Sequence, residues 1–481
     1  MPFMDGSRQP ETEKIAGQEG VDEKDMDDAK RSALIVATFS SFTTPFMLSA
    51  VNIALPAIQE EFHMNAVVLS WIPTSFLLAA AVFLVPFGRL ADIHGRKKTF
   101  SAGMALFTLS SLLSALAPSI VALLVSRVLQ GVGSAMIYAT GIAIISSVFP
   151  PQERGKALGI TVAAVYMGLS AGPFLGGFLT HLLGWRSVFW TVVPLGATVL
   201  LLVFWKLKGE WAEAAGEDFD HIGSILYGAS VLAVIYGISL LPAATSAALI
   251  VGGLLGLGGL VHWEAKVKSP VFQVQLFKAN RLFAFSNLAA LIHYSATFAV
   301  TFLLSLYLQY IKGLTPQAAG GVLVAQPIMM ALFSPFAGRL SDRAEPKAVA
   351  STGMALTCLG LVLFAFLGRH TSLAYVTGTL ILLGLGFALF SSPNMNAIMG
   401  SVDRRFYGLA SGAVGTMRLL GQVLSMGIAT SLFAVRLGQV EITPEHHAAF
   451  IQCLRMAFGG FSVLCLGGIW ASLVRGRLRR E

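Results

Sequence analysis

Long apolar runs separated by short polar breaks fill the chain from residue 33 to residue 474. A lipid hydrocarbon core takes about 20 apolar helical residues to cross. Runs of that scale fall at 33–58, 67–90, 99–117, 119–149, 156–182, 185–207, 221–241, 245–263, 282–309, 316–339, 346–368, 372–399, 406–434 and 451–474. They are continuously apolar, whereas the strands of a membrane β-barrel alternate over about ten residues. Gly and Pro recur inside them, as close helix packing in lipid allows. The pattern predicts an all-α membrane protein with fourteen spans, the fourth and thirteenth long enough to tilt or protrude.

Composition removes the alternatives. Of the 481 residues 55% are hydrophobic and 12% charged, against about 25% charged in soluble domains. Several water-soluble globules could not be clothed from that supply. The three cysteines, Cys358, Cys453 and Cys465, lie in apolar stretches and outline no disulfide framework. Residues 1–31 carry nine acidic and five basic side chains and few large apolar ones, so 1–32 reads as a disordered cytoplasmic tail. With the N-terminus inside, 26 of the 33 Lys and Arg fall on the inner side. That bias orients both termini to the cytoplasm and accounts for most of the net charge of +8. It fits an anionic membrane surface and leaves no basic domain for nucleic acid.

The chain repeats itself. Gly88-Arg89-Leu90-Ala91-Asp92 returns as Gly338-Arg339-Leu340-Ser341-Asp342, and Gly131-Val132-Gly133 as Gly384-Leu385-Gly386, at offsets near 250. Two six-span bundles follow, at 33–208 and 281–474, with two additional spans within 209–280 and a basic tail at 475–481. Paired bundles about a pseudo-twofold axis are the physical basis of alternating access, with a site near the midplane.

The loop Gly88–Lys97, the run Arg127-Val128-Leu129-Gln130-Gly131 on span four, and Gly168-Leu169-Ser170-Ala171-Gly172-Pro173-Phe174-Leu175-Gly176 on span five together resemble the major facilitator superfamily. Within it they are similar to the 14-span drug:proton antiporter branch. The resemblance covers residues 33–474 and implies a secondary transporter and exporter in the inner or plasma membrane. It implies no cofactor, an amphipathic small-molecule substrate, protons as a possible coupling ion, and a monomer. Its loop motif implies a conformational latch drawn from Gly88, Asp92, Gly95, Arg96, Arg154, Asp342, Arg343, Arg404 and Arg405. Asp92 would face the start of span thirteen, and Asp342 the start of span five. Gly168, Gly172, Pro173 and Gly176 match its antiporter motif, whose small residues would permit close backbone packing.

Arg127 and Arg418 lie mid-span, where a charge costs about 3 kcal/mol on insertion scales. Neither can face lipid at that cost. Both are expected at the central cavity or at partner helices, and the cavity set comprises Arg127, Gln130, Tyr138, Asn52, Ser49, His293, Tyr294, Arg418, Gln422 and Asn394. No acid lies in the middle of any span. The related antiporters commonly carry an Asp where this chain has Met47. Two arginines without a balancing acid predict an electropositive cavity, suited to anionic or neutral amphipathic substrates. His293 titrates in a useful range in its unperturbed form, and Glu60, Glu61 and His63 stand near the outer mouth. The competing functions are multidrug:proton antiport of lipophilic cations, lipid transport, and a non-transporting receptor. None of the phosphate-loop, nucleophile-elbow or zinc-helix motifs of enzymes occurs.

Overall fold

The computed structural model describes residues 23–476 except 208, 242, 268–269, 271–273, 403–406 and 439; the side chains of 23–29, 151–152, 154–156, 158, 274, 342 and 408 also fall outside the description. Every regular element in that set is helical. The first half contains α1 (Glu23–Phe62), α2 (Ala66–His94), α3 (Arg96–Ala115), α4 (Ile120–Val148), α5 (Pro151–Leu183) and α6 (Arg186–Lys206). The additional pair is α7 (His221–Ser239) and α8 (Ala244–Glu264), followed by the short α9 (Val274–Ala279). The second half contains α10 (Arg281–Thr297), α11 (Ala299–Leu306), α12 (Pro316–Leu323), α13 (Ala325–Arg343), α14 (Pro346–Phe364), α15 (Leu373–Gly400), α16 (Tyr407–Arg436) and α17 (His447–Val474).

Thirteen segments of the described chain are long and apolar enough to cross a membrane. The fourteenth expected span is α3, which falls below that hydropathy for a structural reason. Its packed face is rich in serine: Ser110, Ser111 and Ser114 are fully buried with their hydroxyls returned to carbonyls one turn back, while Leu109 and Leu113 are exposed on the other side. Span nine is one rod in the sequence but divides into α10, α11 and a π-helical turn at Tyr307–Ile311. Span ten divides at Val324 into α12 and α13.

Two boundaries move. The first helix begins at Glu23, so residues 23–32, expected in a disordered tail, extend α1. Lys30 anchors that extension to Glu153 at 3.0 Å. Arg475, expected in the basic tail, is instead 1% exposed and donates to Asn394 Oδ1 at 2.8 Å.

The repeat is visible in how the bundles pack. A side chain at Gly131 would collide with the Phe76 carbonyl on α2, and one at Gly384 with the Gln326 carbonyl on α13. Gly133 approaches Gly103 as Gly386 approaches Gly353. Corresponding helices of both halves are held at the same near-contact spacing by the same missing Cβ atoms.

The additional helices sit on the seam between the halves. Tyr227 on α7 donates to the Ala81 carbonyl on α2 at 2.9 Å, while Ser431 on α16 donates to the Ile238 carbonyl on α7 at 2.6 Å. Helix α7 thus bridges both bundles, and α8 packs outside it, its Gly253 against Ser230 and Val234.

Candidate functional site

A cavity of about 90 Å³, measured at the centres of water-sized occupants, lies between the halves. That is room for several waters. Helix α1 supplies Pro45, Leu48, Ser49 and Asn52 to its wall, α4 supplies Tyr138, and α5 supplies Leu169 and Pro173. From the second half come Tyr294, Gln326, Phe387, Arg418 and Gln422, among others. Pro45 and Pro173 each remove one helical hydrogen bond beside the cavity. Gln326 enters from the break between α12 and α13, directly before Pro327. Sequence reading passed over it because a lone Gln carries no motif; its place beside Pro327 was the available signal.

Arg418 is half-buried at this wall, its guanidinium carbon 5.7 Å from the Tyr294 ring centre. No ion-pair partner is found for it among the described residues, and no carboxylate lines the cavity. Asn52 is 3% exposed, and its Oδ1 has no hydrogen-bond partner. Met47 is fully buried and outside the wall.

Four members of the expected cavity set lie elsewhere. Arg127 is 0% exposed inside the first bundle. It donates to the Ile72 carbonyl at 3.2 Å and to Gln130 Oε1, and stacks 4.5 Å over Phe76. Gln130 passes the chain on to Ser111 at 2.7 Å. Both side chains therefore face α2 and α3, whose carbonyl, hydroxyl and ring offset the charge locally. His293 is buried behind the wall, stacked on Phe390 at 4.1 Å with Phe387 at 4.9 Å. Asn394 is held by Ser286 and Arg475. Ser49, Asn52, Tyr138, Tyr294, Arg418 and Gln422 do reach the wall.

The halves meet at one end. Ser70 pairs with Thr430 at 2.9 Å, and Ala66 N–H donates to the Val440 carbonyl at 3.1 Å. Ser305 donates to the Asn52 carbonyl at 2.7 Å, Gln309 to that of Ile53 at 3.1 Å, and Tyr310 to Gln59. The hydrogen bonds described between the bundles lie on this side, away from the Gly88–Lys97 loop. Toward that loop, added side chains at Gly141, Gly159 and Gly412 would meet open space. The span-five glycines serve this architecture: Gly168, Gly172 and Gly176 pack on Phe42, Ser49 and Ala50 of α1, and Gly320 sits on the Pro173 carbonyl. At the closed end Glu61 is tied to Arg186 at 2.5 Å.

At the loop end Asp92 and Arg96 are engaged within their own half. Asp92 Oδ1 accepts from Arg96 at 2.8 Å, within the same half. Arg96 also makes a paired contact with Glu213 (2.6 and 2.9 Å) and donates to Ser147. Burial alone would lower the Arg96 guanidinium, but Glu213 and Asp92 outweigh it and raise it above its ordinary value. Glu217 holds Arg89 at 2.5 Å, and Glu210 accepts the N–H groups of Lys97 and Lys98, complementing the start of α3. Gly95, at φ 120°, leaves room for that Glu210 carboxylate. The segment between α6 and α7 is thus an acidic clasp on the loop, which no motif marked. Gly88 packs against Ala139, and Arg343 is exposed in the last turn of α13. Arg404 and Arg405, and the side chains of Arg154 and Asp342, lie outside the described residues.

Two similar helical bundles around a shared cavity, closed at one end, define a multi-pass membrane transporter. The sequence pattern of the Major Facilitator Superfamily matches residues 37–261 and 287–481, and the chain belongs to that family. It is 30% identical to the riboflavin transporter RibZ of Clostridioides difficile, over 91% of this chain and 95% of the relative. It is 32% identical to the multidrug resistance protein Stp of Mycobacterium tuberculosis, over 80% and 72%. A bacterial homologue of the human lysosomal transporter Spinster shares the fold, with a TM-score of 0.67 and 16% identity over 95% and 98%.

Proposed function

We propose that this transporter exports anionic or neutral amphipathic molecules from the cytoplasm across the plasma membrane by alternating access. The observation that carries the reading is Arg418 facing the cavity with no carboxylate in the wall. A fixed cation in a low-dielectric pocket attracts anions and repels cations over several ångströms. Around it Tyr138, Tyr294 and Phe387 offer flat apolar surface, and Asn52, Gln326 and Gln422 offer hydrogen bonds to polar edges. An uncharged, flat solute such as the one named for the riboflavin transporter suits the same wall. The bonds at the closed end, on the side expected to face outward from the Lys and Arg bias, support the reading of a cavity open toward the cytoplasm.

A second reading, proton-linked export of lipophilic cations, is favoured by the aromatic wall and by the name of the multidrug resistance relative. Proteoliposome flux separates the two. The proposal expects 2-naphthalenesulfonate and riboflavin to be carried and tetraphenylphosphonium to be carried at least tenfold more slowly. Faster transport of the phosphonium, with acidification of the opposite compartment, would replace it with the second reading.

A further inference from the structure

We propose that Arg418 is a gating charge, and that the membrane potential, rather than a proton gradient, drives net export. The inference rests on the anion reading above and adds the energy source. The cavity wall contains no Asp, Glu, His or Lys among the described residues. Its charged group is a guanidinium, which stays protonated at any physiological pH. The groups facing Arg418 are the phenols of Tyr138, Tyr166 and Tyr294, uncharged near neutrality. His293 is screened from the cavity by Phe387, and Glu61 is tied to Arg186 at the closed end. No side chain at the wall is therefore placed to take up a proton on one side and release it on the other.

A fixed charge at the wall changes what each half-cycle carries. When a monovalent anion sits against Arg418, the two charges cancel and the loaded cavity reorients without moving net charge through the field. After release, the empty cavity carries one positive charge. An inside-negative potential draws that charge back toward the cytoplasm. One full cycle moves one negative charge outward, which balances with no proton and no second ion. An uncharged substrate gains nothing: the positive cavity moves outward when loaded and inward when empty, and the two steps cancel. The return step ends with the cavity open to the cytoplasm and the opposite end sealed, which is where the bonds Ser70–Thr430, Ser305–Asn52 and Gln309–Ile53 stand.

The test uses the full chain in proteoliposomes at equal buffered pH, with potential set by potassium and valinomycin. For 2-naphthalenesulfonate the steady-state ratio is expected to approach about 50-fold per 100 mV, toward the positive side. Riboflavin is expected to equilibrate to a ratio near one, at a rate that changes with voltage. Arg418→Lys keeps the charge, so the riboflavin rate should stay voltage-dependent even where the sulfonate is carried more slowly. Arg418→Gln, checked for a monodisperse fold, should slow the sulfonate at least tenfold and make the riboflavin rate independent of voltage. Sulfonate accumulation driven by a pH gradient at zero potential would overturn the gating-charge mechanism and leave anion export standing. Absence of sulfonate transport, with the phosphonium carried, would overturn both. A riboflavin rate that keeps its voltage dependence in Arg418→Gln would place the moving charge elsewhere and overturn the assignment.

Discussion

A guanidinium enclosed by a carbonyl, an amide and an aromatic face has a different energetic role from one facing a cavity between the bundles. Arg127 is of the first kind: removing it deprives Gln130 of its donor and Phe76 of its cation in a dry interior. A buried polar group left unpaired costs about 1–3 kcal/mol. Arg127→Met is therefore expected to lower the melting temperature of the purified protein by several degrees while leaving the KM for a carried anion within about twofold. A tenfold rise in KM with unchanged stability would return Arg127 to the transport path. From sequence alone, Arg127 and Arg418 look alike, because each is a mid-span charge that cannot face lipid. What separates them is which neighbouring helix each side chain faces, and a single helix's periodicity does not contain that. The absent acid was legible at once, since a missing residue type needs no geometry.

Helices in lipid gain little from hydrophobic burial against one another, so close packing has to supply their association. The α1–α5 contact shows this. A Cβ at Gly172 would stand 2.5 Å from Ser49 Cβ and 3.0 Å from the Phe46 carbonyl, both on a helix that cannot retreat without moving the cavity wall. Overpacking of this kind costs typically about 1–3 kcal/mol. Gly172→Val should reduce the monodisperse yield and melting temperature, whereas Gly159→Ala on the same helix, with open space around it, should change neither. Equal effects at the two positions would refute the packing role. The glycine spacing was readable in the sequence, as were the repeat and the positions of the spans, though the breaks within spans nine and ten were not. The clasp of Glu210, Glu213 and Glu217 was not, because acids in a polar linker look like ordinary solvated charge until the loop they hold is placed beneath them. Glu213→Gln should loosen the loop by weakening its paired bonds to Arg96, and limited trypsin digestion at Lys97–Lys98 should accelerate severalfold if it does.

Alternating access requires the seam between the bundles to open at one end while it closes at the other, so contacts that cross the seam report the state of the whole molecule. Here α7 holds to both halves, through Tyr227 on one side and Ser431 on the other, so under the proposed alternating access the additional pair would have to slide or flex with the seam. The closed end offers a direct trap. Ser70 and Thr430 place their hydroxyl oxygens 2.9 Å apart across the seam, close enough for a pair of cysteines to bridge after small side-chain rotations. The native Cys358, Cys453 and Cys465 are all buried, and none lies on α2 or α16 to compete for that bond. In the double variant Ser70→Cys, Thr430→Cys, oxidation should abolish flux of 2-naphthalenesulfonate and riboflavin alike, because the cavity can no longer open at that end. Binding of either solute from the cytoplasmic side should persist, since the opposite opening is untouched. Dithiothreitol should restore transport to the level of the reduced variant, and each single substitution should be insensitive to oxidant. Undiminished flux with the bridge formed, verified by mass spectrometry, would mean that this end does not open during transport.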